Sequence, residues 1–163
     1  MLLTLMLGAA FGLSGCGTQE PSAAAIINGT SISEREVQSV ADEVNTLAEG
    51  GAKISSSNAL LSLILAPYVL DEAERVHKTI SESQAKQVIA KIAHPSAATV
   101  RFVQMQLAVP ELDQASKNLI VGQLDKASII VNPRYGTLDL KQIAMNPTTP
   151  NWIKATSAPA PAK

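Results

Sequence analysis

The run from Ala59 to Leu70 is broken only by Ser62 and Pro67, and it constrains the chain more than any other segment. It reads as a helix that is apolar nearly all round, and such a helix must be buried by several neighbours rather than lie on a surface. A mainly helical domain packed around this central element is therefore the expected architecture. The run turns polar through Asp71, Glu72, Glu74 and Arg75, and a Ser-rich joint, Ser55 to Ser57, precedes it. Pro67 has no N–H to give the Leu63 carbonyl, which predicts a kink at that turn.

The neighbours are marked by caps and stripes. Ser33 lies three residues before Glu36, the spacing of a capping box, and Val37, Val40, Ala41, Val44, Leu47 and Ala48 follow at helical spacing until Gly50-Gly51. The opposite face carries Asp42, Glu43 and Glu49 and reads as a solvated one. Ser81 with Gln84 repeats the box, and Ala85, Val88, Ile89 and Ile92 form a third helical stripe ended by His94-Pro95. Val100, Val103 and Leu107, with Phe102 and Met105 on adjoining faces, predict a fourth helix that stops before Pro110. Leu112, Ala115, Leu119, Ile120 and Leu124 predict a fifth, with Asp113 and Lys117 as an i,i+4 surface pair.

Strand-like texture appears only at the two ends of this helical stretch. Ile26-Ile27 runs into Asn28-Gly29, a strong two-residue hairpin signal, and Ile32 lies beyond it. Asn28-Gly29-Thr30 also matches a glycosylation sequon, but the turn is the better reading. The β-branched run Ile129-Ile130-Val131 precedes Asn132-Pro133-Arg134-Tyr135-Gly136, where proline and glycine end regular structure. The expected fold class is mainly α, about five helices, with a short two-stranded β element pairing the start and end of the domain. Thr137 to Lys154, which holds Trp152, reads as irregular, and Ala155 to Lys163 as a disordered Ala/Pro/Ser/Thr tail.

The N-terminus carries a separate message. Met1 to Gly15 has no charged side chain and offers an apolar stretch too short to span a bilayer, as a signal peptide does. Its positive charge comes from the α-amino group alone, whereas a secretory signal usually begins with Lys or Arg. Leu13-Ser14-Gly15-Cys16 resembles the bacterial lipobox, in which small residues admit the peptidase and the cysteine thiol accepts the lipid. That resemblance implies a chain anchored through Cys16 to the outer face of the cell membrane, with 1–15 removed; the expected organisation is then 16–25 a tether, 26–136 the helical domain and 137–163 an irregular to disordered C-terminal segment. Cys16 is the single cysteine, so no intramolecular disulfide forms. A net charge of −1 argues against a nucleic-acid partner. Acidic side chains outnumber basic ones up to Glu82, and the balance reverses from Ser83 onward. The two halves therefore either attract each other or turn a basic face to anionic headgroups.

The residue inventory points away from catalysis. His77 and His94 are the only imidazoles, and no nucleophile motif accompanies them. Glu74 and His77 have the Glu-x-x-His spacing of carboxylate-bridged metal bundles, but such sites need the motif twice and it occurs once. No metal, no cofactor and no enzymatic activity is expected, and Gly50-Gly51 ends a helix instead of cradling a phosphate.

Asn28-Gly29 followed by Ile32-Ser33-Glu34-Arg35-Glu36 resembles the opening of the SurA/PrsA-type chaperone N-terminal domain, where a strand and an Asn-Gly turn lead into the first helix. Thr79-Ile80-Ser81-Glu82-Ser83-Gln84 is similar to the family's entry into its third helix, and Val131-Asn132-Pro133-Arg134-Tyr135-Gly136 resembles a segment closing such domains in actinobacterial lipoproteins. The resemblance spans Ile26 to Gly136 and implies a helical domain that binds peptides of unfolded or exported proteins. The family often adds a parvulin-type isomerase domain. The Pro-, Thr- and Ala-rich segment 137–163 is not expected to hold one, so isomerase activity does not carry over.

Candidate peptide contacts are Leu60, Leu63, Ile64, Tyr68, Phe102 and Met105, each of which reads first as core because a domain of this size needs its large apolar residues inside. The rival expectation is a structural or assembly lipoprotein holding one dedicated envelope partner through Arg134, Tyr135 and Trp152. Aromatic residues make up only 3% of the chain, which leaves few rigid anchors for tight recognition.

Overall fold

Strands β1 (Ala23–Ile27) and β2 (Thr30–Ser33) pair antiparallel with Ile27 opposite Thr30, so Asn28 and Gly29 form a two-residue loop. Both take positive φ, 48° and 85°, as a type I′ turn requires. The computed structural model that shows this describes residues 22–48 and 50–147. The proposed signal peptide, the Leu13-Ser14-Gly15-Cys16 motif and Trp152 lie outside those residues.

Helix α1 (Glu34–Leu47) starts where β2 ends. The Glu36 N–H donates to the Ser33 hydroxyl at 3.2 Å and the Ser33 N–H donates to the Glu36 carboxylate at 2.8 Å, closing the capping box. Asn45 then clamps the Gly50-Gly51 loop by accepting from the Ile54 N–H at 2.8 Å and donating to the Ile54 carbonyl at 3.1 Å. Helix α2 (Ser56–Arg75), capped by Ser55, runs on through Pro67, which sits on an exposed face. It ends in a Schellman arrangement: the Lys78 N–H bonds the Ala73 carbonyl at 2.7 Å and the His77 N–H bonds that of Glu74 at 3.0 Å. His77 occupies the left-handed cap position at φ 59°, so it lies past the helix end, off the face that carries Glu74.

Helix α3 (Glu82–Val88), opened by the Ser81/Gln84 box, is shorter than its stripe predicts. Ala85 and Ile89 are buried and Ile92 packs on the core, but Val88 is 61% exposed. Helix α4 (Ala97–Ala108) is capped by Ser96, and a 3-10 turn over Val109–Glu111 leads to α5 (Gln114–Leu124). The Asp113 carboxylate caps α5 by accepting from the Ser116 N–H at 2.8 Å, and this bond takes the place of the expected pair with Lys117. In the α5 stripe Leu112, Ile120 and Leu124 face inward as expected, but Ser116 joins them while Ala115 and Leu119 face solvent.

Strand β3 (Ile129–Val131) pairs antiparallel with β1, giving a sheet of order β2-β1-β3. The start and end of the helical stretch are thus joined as expected, with β2 as an additional strand. Two further expectations are corrected. The tether gives way to β1 by Ala23, because Ala24 and Ala25 are small enough to be buried completely beneath the helices. The segment after Gly136 is regular as far as Asn146: β4 (Thr137–Asp139) and β5 (Ala144–Asn146) form a hairpin, held down by Leu138 and Met145 against the core.

The core has two clusters threaded by the same helices. Leu60, Leu63 and Ile64 of α2 meet Val37 and Val40 of α1 and Phe102 and Val103 of α4 in one. Ala66, Val69 and Ala73 of α2 meet Met105, Leu112, Ile120 and Leu124 in the other. Helix α4 packs on α1, α2 and α3, so α2 shares the centre with it. Among the described residues no helix is long and apolar enough to cross a membrane.

One buried carboxylate ties the second cluster together. Glu72 accepts a two-pronged bond from Arg75, at 2.6 Å from Nε and 2.5 Å from Nη2, with the Ser116 hydroxyl as a further partner. Arg75 first, then Ser116, holds its pKa at about 2 instead of 4.5. Because the folded value is depressed, the stabilisation is complete above pH 4.5 and is lost as pH falls through about 2. Glu34 and Asp113 are shifted in the same direction. The urea midpoint is expected to fall across that window, with a shallower fall in Glu72→Gln. Identical acid limbs in the two proteins would remove Glu72 from the account.

Candidate functional site

Helix α2 is the floor of the candidate site because its apolar surface is not fully covered on either flank. On one flank a groove of about 300 Å³ opens between α2 and the β1–β2 hairpin. Ile27 and Ile32, with the polar Asn28, Thr30 and Ser31, come from the hairpin and Leu63, Pro67 and Tyr68 from α2, and Glu36, Asp71 and Arg101 also line it. Pro67 contributes in two ways: its ring is apolar surface, and its missing N–H leaves the Leu63 carbonyl without the usual helical donor. The wall is held in place by Asn28, whose side-chain amide donates to the Tyr68 hydroxyl at 3.4 Å. The same residue exchanges bonds with Ser128, both at 2.9 Å, fixing hairpin, α2 and β3 to one another. Glu36 is engaged in the α1 cap, whereas neither Asp71 nor Arg101 has an ion-pair partner among the described residues.

On the other flank a cleft of about 340 Å³ lies between α2, α5 and the β4–β5 turn, and Leu65, Val69, Val109, Leu112, Ile120 and Ile143 give it an almost wholly apolar lining. Ile143 reaches it with φ at 48°. A β-branched residue in that region is strained, so the turn is held there by its surroundings. Sequence reasoning did not find this cleft, since its walls come from three elements and one of them, the β4–β5 hairpin, carries no strong periodic signal.

The candidate peptide contacts separate cleanly. Leu60 and Ile64 are fully buried, and Phe102 and Met105 are core residues, which places all four under the surface in this conformation. Leu63 is buried but lines the first groove, and Tyr68 is half-buried at its edge.

Arg134 and Tyr135 are brought together elsewhere, in a polar, open cleft of about 560 Å³ with Glu34, Arg35, Ser56 and Ser57. Arg134 Nη1 lies 2.9 Å from each Glu34 carboxylate oxygen. The Ser22 hydroxyl and then Arg134 hold Glu34 below the usual carboxylate range, and burial pushes the Tyr135 phenol up. The Tyr135 carbonyl accepts from the Ser57 hydroxyl at 2.8 Å. These bonds fasten the 3-10 turn Pro133–Tyr135 to the starts of α1 and α2, so the cleft is a closing joint of the fold.

His77 and His94 are both exposed, and among the described residues no three His, Cys, Asp or Glu side chains are grouped to hold a metal ion. What this surface can do chemically is bury apolar groups and exchange a few hydrogen bonds with them. The result is a mainly α domain with one apolar cleft and one mixed groove along a central helix. No protein-family model, curated protein or solved structure matches the chain.

Proposed function

We propose that the chain is an extracytoplasmic lipoprotein, anchored through Cys16, whose helical domain binds extended apolar segments of unfolded or exported proteins without catalysing a reaction. The observation that carries this reading is the almost wholly apolar cleft on one flank of α2, with a groove of mixed polar and apolar lining on the other. Burial of apolar surface is non-directional, so a shallow apolar cleft suits many sequences at modest affinity, while the polar groups of the mixed groove can meet the peptide main chain. Asp71 and Arg101 supply one charge of each sign at the rim of the first groove, where charged residues flanking an apolar stretch would meet them. The lipobox-like Leu13-Ser14-Gly15-Cys16 and the resemblance to SurA/PrsA-type N-terminal domains support the same reading.

The test is aggregation suppression by the soluble chain Gly17 to Lys163 against two unrelated unfolded proteins, with an inert protein of equal size as control. Suppression of both at near-stoichiometric ratio is expected, and Tyr68→Ser, which removes the ring at the groove edge, is expected to weaken it several-fold. Absence of suppression with either client would overturn general peptide binding. Recovery of one dominant envelope species by the anchored protein would then favour a structural lipoprotein with a dedicated partner.

A further inference from the structure

Among the described residues, those other than glycine that take a positive φ are Asn28, His77 and Ile143. Asparagine and histidine are enriched in that region, and here they form a hairpin turn and a helix cap. Ile143 is the exception. At φ 48° the Cβ crowds the following carbonyl, and a β-branched side chain suits the position least, where glycine or asparagine is the ordinary choice.

The strand register pairs Asp139 with Ala144, so Leu140, Lys141, Gln142 and Ile143 make up the β4–β5 loop. The loop has other means of attachment. The Asp139 carboxylate shapes it by accepting from the Lys141 N–H at 2.9 Å and from the Gln142 N–H at 3.2 Å. Leu138 and Met145 pack against the first core cluster and Leu140 against the second. Ile143 has a different place: half-buried, it completes the apolar cleft as a third wall beside Leu65 and Val69 of α2 and Ile120 and Val121 of α5. Backbone strain of this kind collects at ligand clamps, where a side chain is kept for what it contacts.

The cleft also narrows the choice of occupant. A volume of about 340 Å³ is at the small end of ligand pockets, room for a few aliphatic side chains of an extended segment and not for a folded element. Lys117 carries the only charge among the described residues that line it, and it is exposed. A cation beside an apolar floor favours a segment with a carboxylate next to its aliphatic side chains over one with an ammonium group there.

Resting on the peptide-binding reading above, we propose that Ile143 is a client-contact residue, kept in the left-handed turn to complete the cleft, and that the cleft takes short aliphatic runs with a carboxylate beside them, which Lys117 meets.

The probes are two labelled serine-rich peptides, each with a leucine-valine-leucine run, one flanked by glutamate and the other by lysine. Anisotropy is read on the full chain, carried on phosphatidylcholine nanodiscs. Several-fold tighter binding of the glutamate peptide is expected, with the preference reversed in Lys117→Glu. Ile143→Asn and Ile143→Gly give the turn a residue its φ favours, so both are expected to raise the urea midpoint while weakening binding of either peptide several-fold. A lowered midpoint in both variants would make Ile143 a packing residue, and unchanged or tighter binding would remove it as a contact; each overturns the proposal and leaves the peptide-binding reading standing. Aggregation suppression by a wild-type chain that binds neither peptide would move clients to another surface and also overturn it, whereas absence of both activities would overturn the two readings together. Binding that appears only once residues 148–163 are removed would assign the cleft to the chain's own C-terminal segment, and binding lost as protein concentration rises would assign it to a second copy; both outcomes overturn it.

Discussion

Gly136→Ala is expected to destabilise the domain by about 3 kcal/mol, far more than a methyl group costs elsewhere on the surface. Gly136 has φ 108° and ψ −163°, a region essentially closed to residues with a Cβ. A Cβ there would also sit 2.2 Å from the Asn146 carbonyl oxygen and 3.0 Å from its carbon, both of them backbone atoms that cannot swing aside. Relief requires β5 to move away from the start of β4, and Met145 and Leu138 move with it. Gly122 provides the contrast, because it lies within α5 and a Cβ there meets nothing within 4 Å. Gly122→Ala is therefore expected to stabilise by roughly 0.5–1 kcal/mol through helix propensity. Urea unfolding of the two variants checks the sign as well as the size. Equal behaviour would mean that the close approach of Gly136 to Asn146 is absent in solution.

Leu60→Ala is expected to cost about 3–5 kcal/mol, a large part of the roughly 5–15 kcal/mol that holds a typical domain together. Leu60 is fully buried in the cluster shared by α1, α2 and α4, and its neighbours Val37, Val40 and Ile64 are themselves enclosed. Neighbours fixed in that way collapse poorly into a vacated space, which puts the cost toward the upper end of the range. Leu119→Ala, at a position 51% exposed, is the matched control and is expected to cost under about 1 kcal/mol. Thermal or urea midpoints decide between them. A small effect at Leu60 would show that the first core cluster is loosely packed.

The elements legible in the sequence are those whose signal is local. Ser33 with Glu36, Ser81 with Gln84 and Asn28-Gly29 each specify a cap or turn within four residues, and each sits where that chemistry requires. The misread elements depend on distant partners. Ala23 to Ala25 looked like tether because small residues carry no periodic signal, yet their smallness is what lets β1 lie under the helices. The three-residue strands β4 and β5 are too short to show alternation and exist because Leu138 and Met145 find the core. In α5 Leu112, Ile120 and Leu124 face inward as their spacing predicts, but Ser116 takes the inward place expected of Ala115 and Leu119 because it bonds Glu72, a polar contact that hydropathy patterns do not register. For the candidate site, Leu63 and Tyr68 were legible as large apolar residues on α2. The opposing wall, made by Ile27 and Ile32, was not, because the hairpin's position is set by Asn28 bonding to Ser128 a hundred residues away.

The central place of β1 in its sheet bears on how the domain withstands a pull. Among the described residues the strand nearest the N-terminus is flanked on both sides, by β2 and β3, with its Ala24 carbonyl accepting from the Asn132 N–H. A force transmitted through the residues before Ser22 cannot peel an edge; it must strip two ladders together, and the second of them belongs to the far end of the helical stretch. Tension at the N-terminal end is thereby shared between β3, across the sheet, and the start of α1, whose Glu34 N–H donates to the Ser22 carbonyl at 2.9 Å.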